Sequence, residues 1–274
     1  MENLKELSYK LREDTVNIIM AGGGGHIGGD MSVMETLVDL YFRQMNVSPE
    51  KEEDPDRDRF IMSKGHSMEA YYAVLCEKGF LDLKDVTERF SKFGSPYIGH
   101  PNNKLPGVEM NSGSLGHGLP VAVGLALAGK MDQKSYRVYV VTGDGELAEG
   151  SNWEGFMSGA MYGLDNLCCV IDRNRLQISG STEDVMALDD LQNKLAAFNW
   201  YVISTDGNDI EAMDAAFEEA KKVKGKPTVI IANTIKGKGS PVMENQAGWH
   251  HKLPSEAEYQ EIMRDLEEKR EELA

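Results

Sequence analysis

Two groups of residues in this sequence have types and spacings that could do chemistry. The first is Gly143-Asp144-Gly145, followed 30 positions after its aspartate by Asn174. Asp144 offers a carboxylate oxygen, Asn174 an amide oxygen, and the turn after Asn174 a backbone carbonyl, best supplied by Leu176. Three oxygen donors suit a hard cation, Mg²⁺ or Ca²⁺, and not a soft metal. Mg²⁺ held by so few protein ligands completes its octahedron with phosphate oxygens and water. Gly143 and Gly145 would let a diphosphate come close to the backbone. Asp-Gly also marks hairpin turns, but Glu146-Leu147-Ala148-Glu149-Gly150 supplies no second strand. The second group is the histidines. Of six, four directly follow glycine: Gly25-His26, Gly65-His66, Gly99-His100 and Gly116-His117. Glycine reaches backbone angles closed to other residues, so such turns suit the presentation of imidazoles into a ligand cleft. Zinc is the competing use. No two histidines are four apart and no His-Glu-x-x-His run exists, so zinc is set aside.

The elements that must position these residues follow from hydrophobic pattern. Val138 to Thr142 and Asn166 to Ile171 are continuous apolar, β-branched runs, as expected of parallel strands buried on both faces. Between them Trp153, Phe156, Met157 and Met161 mark a crossover helix, so both strands point the same way. Asp144 and Asn174 then lie just past carboxyl ends of strands, where open α/β sheets bind ligands. Trp200 to Thr205, Ile210 to Lys222 and Pro227 to Asn233 repeat the strand–helix–strand pattern, with Gly207-Asn208-Asp209 capping the helix.

Upstream, Leu4, Leu7, Leu11, Ile18 and Ile19 predict a helix that breaks into a glycine loop from Ala21 to Gly29. A second helix from Met31 to Tyr41 would be capped by Asp30 or Ser32. Asp58 to Ser67 reads as a short strand breaking into the Gly-His turn, with helices over Met68 to Leu75 and Asp82 to Phe90. A turn that opens a helix favours anions. Gly94 to Leu119 is a long glycine- and proline-rich loop, anchored by Tyr97, Leu105 and Val108, and a loop of that length is usually functional. Val121 to Gly129 is small and apolar throughout, which predicts a helix buried against the sheet. Lys236-Gly237-Lys238-Gly239-Ser240 lacks P-loop spacing. Ser255 to Ala274 predicts an acidic helix with one stripe, Tyr259, Ile262, Met263 and Leu266, and an Asp265–Lys269 pair.

A chain of 274 residues can bury one large α/β core. Its net charge of −16 argues against nucleic-acid partners and against docking on an anionic membrane. An anionic cofactor can still bind where a metal meets its charge. Cys76, Cys168 and Cys169 have no metal or redox spacing, and the last two fall inside a predicted strand, so buried thiols and a cytoplasmic setting are expected. The charged N-terminus is not a signal peptide, and no apolar run approaches the ~20 residues that span a bilayer.

Several segments together resemble transketolase-like enzymes. They are the Gly-Asp-Gly and Asn174 pair, Ser63-Lys64-Gly65-His66, and Gly99-His100-Pro101 with Leu105-Pro106-Gly107-Val108-Glu109 and Gly113-Ser114-Leu115-Gly116. Lys236-Gly237-Lys238-Gly239 and Trp249-His250-His251-Lys252 complete a likeness running over about residues 8 to 253. It implies an α/β thiamine diphosphate-binding fold, with a central, mostly parallel sheet and helices on both faces. It implies thiamine diphosphate and Mg²⁺ or Ca²⁺ as cofactors, the metal held by Asp144, Asn174 and the Leu176 carbonyl. His66, Gly143 and Gly145 would meet the diphosphate, and Gly113 and Leu115 the cofactor ring. His26, His100 and His250 would act on the substrate; His251 stands where the family has glycine, and the choice between it and His250 stays open. His117 stands where the family often has glutamine and takes a helix-start role. Glu149 and Glu154 match glutamates at a dimer interface, Glu149 counting with the cofactor-binding set.

Residues 1–274 are expected to form a single diphosphate-binding domain, with an N-terminal helix and an acidic C-terminal helix and without pyrimidine and C-terminal domains. The resemblance therefore implies the N-terminal subunit of a split transketolase. With a C-terminal subunit, in a heterotetramer of two copies of each, it would move a two-carbon ketol unit between sugar phosphates. A subunit of another thiamine diphosphate enzyme, such as a decarboxylating synthase or dehydrogenase component, and a non-catalytic binding domain are the alternatives.

Overall fold

The computed structural model describes residues 3–273. Five parallel strands form its centre: β1 (Arg59–Met62), β2 (Val138–Gly143) and β3 (Leu167–Arg173), then β6 (Tyr201–Asp206) and β7 (Thr228–Asn233). A small antiparallel pair, β4 (Leu176–Gln177) and β5 (Gly180–Ser181), lies outside that sheet. The sheet order is β1-β2-β3-β7-β6, and all neighbours are parallel. Every residue of β2 and β3 is buried, which explains their unbroken apolar runs. In the register Gly143 sits opposite Asp172, so Asp144 and Asn174 leave adjacent strands within one residue of the same height.

Alternate strand residues feed two cores. Tyr139, Val141, Cys168 and Val170 pack under α1 (Leu4–Gly22), α3 (Met34–Asp39), α4 (Met68–Glu77) and α10 (Ile210–Lys222). Val138, Val140, Cys169 and Ile171 face the opposite way, under α6 (Gly118–Met131), α7 (Gly150–Met161) and α9 (Leu191–Ala197). A third cluster joins α1 to α2 (Ile27–Ser32) and α11 (Glu256–Leu273) through Val16, Ile27, Met31, Trp249, Ile262 and Leu266. It fixes the loop that carries His250. The short helices α5 (Leu83–Arg89) and α8 (Thr182–Val185) complete the set, and Cys168 and Cys169 are buried free thiols.

Several local expectations are corrected. The glycine loop is shorter: α1 runs through Gly22, and Gly28 and Gly29 are helical in α2. A Cβ on Gly28 would meet the Trp249 carbonyl at 2.6 Å, so close packing outweighs the roughly 1 kcal/mol that a helical glycine costs. Neither Asp30 nor Ser32 caps the helix that follows. Both lie within α2, where Asp30 Oδ1 accepts from the Ala70 N–H at 3.0 Å and Ser32 Oγ donates to Asp172 at 2.6 Å. On α7, Met157 (61% exposed) and Met161 (81%) point outward, and the buried face is Asn152, Gly155, Phe156 and Gly159. A Cβ on Gly159 would lie 2.7 Å from the Trp200 ring, so the small residues set this packing. The face of α6 bearing Val121, Gly124, Ala128 and Met131 is also exposed, against the expectation of full burial. On α11 the Asp265–Lys269 pair does not form. Lys269 pairs with Glu272 at 2.7 Å, while Asp265 accepts from Ser240 at 2.5 Å.

Candidate active site

The carboxyl ends of β1, β2, β3 and β7 all open onto one cleft of about 290 Å³. One wall carries His26, His66, His100 and His250 together with Lys64 and Lys236. Gly113, Leu115, Gly143 to Glu146, Asn174 and Leu176 line the remainder. His26 is the hub of the imidazoles, with ring centroids 5.3 Å from His66, 5.9 Å from His100 and 5.6 Å from His250. Thus four histidines spread over some 225 positions of sequence converge as ring neighbours. His251 is exposed, with its ring 4.6 Å from His26, and of the two histidines only His250 lines the cleft.

The reason these histidines follow glycine differs from the one expected. Gly25, Gly65 and Gly99 do not have positive φ, and Gly25 and Gly65 are places of close approach, while a Cβ on Gly99 would make only ordinary contact. A Cβ on Gly65 would collide with Ser112 Oγ, and one on Gly25 would come within 2.5 Å of Glu69 Oε1. Only Gly116 has positive φ (84°), and its histidine, His117, is exposed at the start of α6.

Two lysines give the cleft its positive charge. Lys64 is 1% exposed, donates to the Gly29 carbonyl at 3.0 Å and forms a buried ion pair with Asp172. Burial opposes the charge on Asp172, but Lys64 and the donors Ser32 and Thr234 hold its carboxyl below the usual range. Lys236 Nζ donates to the Leu176 carbonyl at 3.0 Å and lies 3.0 Å from His250 Nδ1. Burial, then the charge of Lys64, brings its pKa down to about 8. Burial likewise lowers His26 to about 4, helped by His251 and His100, and His250 to about 3, helped by Lys236. His66 is pushed well below its ordinary value by burial and Lys64, and His100 is lowered by burial. The four imidazoles are therefore neutral near pH 7.

Asp144 begins a single turn of 3-10 helix, Gly145–Ala148. Its Oδ2 accepts from Arg173 Nη1 at 3.0 Å and from the Arg175 N–H at 2.6 Å, and its Oδ1 from the Gly145 N–H at 2.8 Å. Burial and then the charge of Asp172 raise its pKa. Asn174 Oδ1 accepts from the Leu176 N–H at 3.1 Å, while its Nδ2 donates to Asp172 at 3.1 Å, which turns the amide oxygen away from Asp172. A carboxylate, an amide oxygen and a carbonyl that already receives an ammonium make an oxygen donor set of the kind Mg²⁺ or Ca²⁺ takes. Among the described residues no group of three or more His, Cys, Asp or Glu is placed to hold a metal ion.

All the residues expected at the site line the cleft except Glu149. Glu149 is exposed at the start of α7, where its Cβ packs on Gly116, and Glu154 is exposed on the same helix. The buried glutamate of that turn is Glu146, which accepts from Ser63 Oγ and from the N–H groups of Gly116 and Gly143, the last two at 2.9 Å. Lys64, Lys236, Glu146 and Asp172 are the functional residues that sequence reading missed. The available signal was position, since each borders a Gly-His or Gly-Asp-Gly turn or a strand end.

The sequence profile described as "Transketolase, thiamine diphosphate binding domain" matches residues 5–269. An apulose-4-phosphate transketolase subunit from Phocaeicola vulgatus is 46% identical over 273 residues, covering 100% of this chain and 97% of that one. The 6-deoxy-6-sulfo-D-fructose transketolase subunit SqwG of a Clostridium species is 37% identical over 266 residues, covering 97% and 96%. Among solved structures, transketolase from Campylobacter jejuni superposes with a TM-score of 0.91 at 28% identity, covering 99% of this chain and 43% of that one. Transketolase from Leishmania mexicana gives 0.89 at 27% identity, covering 100% and 45%. The chain thus spans less than half the length of these solved transketolases. A parallel sheet whose strand ends gather Asp144, Asn174 and four histidines, matched over nearly its whole length by that profile, makes this chain a member of the transketolase thiamine diphosphate-binding domain family.

Proposed function

We propose that this chain is the N-terminal subunit of a split transketolase, a single diphosphate-binding domain acting in the cytoplasm. A separate C-terminal subunit supplies the pyrimidine and C-terminal domains, in a heterotetramer with two copies of each chain. Together they transfer a two-carbon ketol unit from a ketose phosphate to an aldose phosphate. The observation that supports this reading is the likeness to chains named as single subunits of a transketolase, one matched over 97% of its length and another over 96%.

Asp144, Asn174 Oδ1 and the Leu176 carbonyl would hold Mg²⁺ or Ca²⁺, with Lys236 giving up its hydrogen bond to Leu176. Thiamine diphosphate, when bound, supplies a nucleophilic carbon and an electron sink. Gly143, Gly145 and His66 would face its diphosphate, Lys236 would offset part of the anionic charge, and Gly113 and Leu115 would meet its ring. His26, His100 and His250 are neutral at working pH, so a ring nitrogen that faces a substrate hydroxyl would donate to it or accept from it according to its tautomer, and His250, whose Nδ1 takes Lys236, would donate through Nε2. Groups of that kind orient a sugar and carry protons at its oxygens.

The test is capture of the partner from native extract by tagged chain, with Mg²⁺ and thiamine diphosphate present and Asp144→Ala run beside it. The expected result is a stoichiometric partner bearing a pyrimidine-type domain, held less well by the variant. Cofactor affinity of the variant complex should fall by more than about 100-fold, the upper end of what removing even an outer-shell partner of a metal costs. The recovered complex is then assayed on pentose phosphates, apulose 4-phosphate and 6-deoxy-6-sulfofructose. Capture of no partner, or release of CO₂ from a 2-oxo acid in place of ketol transfer, would overturn the reading.

A further inference from the structure

Behind the histidine wall lies a pair of acids that the ketol-transfer chemistry leaves unused. Glu69, in the first turn of α4, is 1% exposed, and Asp30, on α2, is wholly enclosed. Asp30 Oδ1 accepts from the Ala70 N–H, but Asp30 Oδ2 and both oxygens of Glu69 have no donor within hydrogen-bonding geometry. The N–H groups of His26 and Glu69 only face the Glu69 carboxyl. The nearest ammonium, on Lys64, is already bound to Asp172 and Gly29. Two carboxylates buried together with three unserved oxygens cannot both be charged. One retained proton makes one acid the donor and the other the acceptor, and the two then titrate as a pair.

The position of Glu69 gives the pair a task. Its Oε1 lies so close beneath Gly25 that a Cβ there would approach to 2.5 Å, and a Cβ on Gly99 would stand 3.8 Å from the same oxygen. Those glycines precede His26 and His100, so one carboxyl underlies both turns that carry imidazoles into the cleft. We propose that Asp30 and Glu69 share one proton and act together as positioning residues, holding the Gly25–His26 and Gly99–His100 turns from below. The kinetic part of this proposal rests on His26 and His100 facing substrate in the reading above; the proton-sharing part does not.

The first measurement is infrared difference spectroscopy of the free chain at pH 7, parent against E69Q. The expected result is the C=O stretch of one protonated carboxylic acid in the parent that disappears in E69Q. A parent without that band, or with one that E69Q leaves in place, overturns the shared proton whatever the enzyme acts on. The second is a double-mutant cycle in the assembled enzyme with E69A and H26A. The loss in kcat from E69A should shrink by about threefold or more in the H26A background, as expected for coupled neighbours. Meanwhile thiamine diphosphate affinity should hold, and E69Q, whose amide can donate to Asp30, should recover most of the loss. Equal losses in both backgrounds overturn the positioning role. Should E69A not fold, E69Q and D30N are compared in the same cycle. An assembly without ketol transfer in the parent refutes the functional reading and leaves the infrared result standing.

Discussion

His26 and His250 are half-buried among cations and other imidazoles, and that environment sets their titration. Midpoints of about 4 for His26 and about 3 for His250 are expected, in place of the ordinary 6.5. Both groups have folded values below their unfolded ones. As pH falls from about 6.5 toward 4, the unfolded chain takes up protons at these two rings that the folded chain refuses, so their contribution to stability declines over that window. Ring-proton NMR of the free chain checks the midpoints, and chemical denaturation at pH 7 and pH 5 checks the sign. A resonance of either ring titrating near 6.5 would contradict the burial described here. At this scale the histidines were legible because Gly-His repeats are rare enough to notice. Lys64 and Lys236 were not, because lysine in a sequence reads as surface charge until a buried partner is seen.

Among elements, the Lys64–Asp172 pair ties the turn after β1 to the end of β3, and Ser32 and Thr234 bring α2 and the end of β7 to the same carboxylate. Removing one partner of a buried ion pair strands the other charge. Lys64→Ala should therefore destabilise the chain by about 3–5 kcal/mol, read from urea unfolding of the free chain. A loss below about 1 kcal/mol, the level of an exposed pair, would show that water reaches Asp172. The strand–helix–strand units and the placement of Asp144 and Asn174 could be read from apolar runs, because strands buried on both faces leave that signature in composition. Which face of α6 and α7 is buried could not. Apolar residues surround both helices, and the packing is decided by Gly155 and Gly159, whose lack of a side chain carries no hydrophobic signal. Glu146 was passed over for a related reason: a single 3-10 turn rotates it inward while Glu149 faces out.

At the scale of the whole molecule, one sheet separates two hydrophobic layers, and alternate residues of each strand belong to different layers. Cys168 and Cys169 are adjacent in sequence, yet Cys168 packs with the layer under α1 and α4 while Cys169 packs with the layer under α6 and α9. These native thiols can serve as separate clocks for the two halves of the fold. In a Cys76→Ser background under mild denaturant, alkylation followed by peptide mass spectrometry times the exposure of each. Because the strands interlock both layers, a common labelling rate is expected, the mark of one cooperative opening unit. Two distinct rates would instead show that one side of the sheet can shed its helices while the other keeps them.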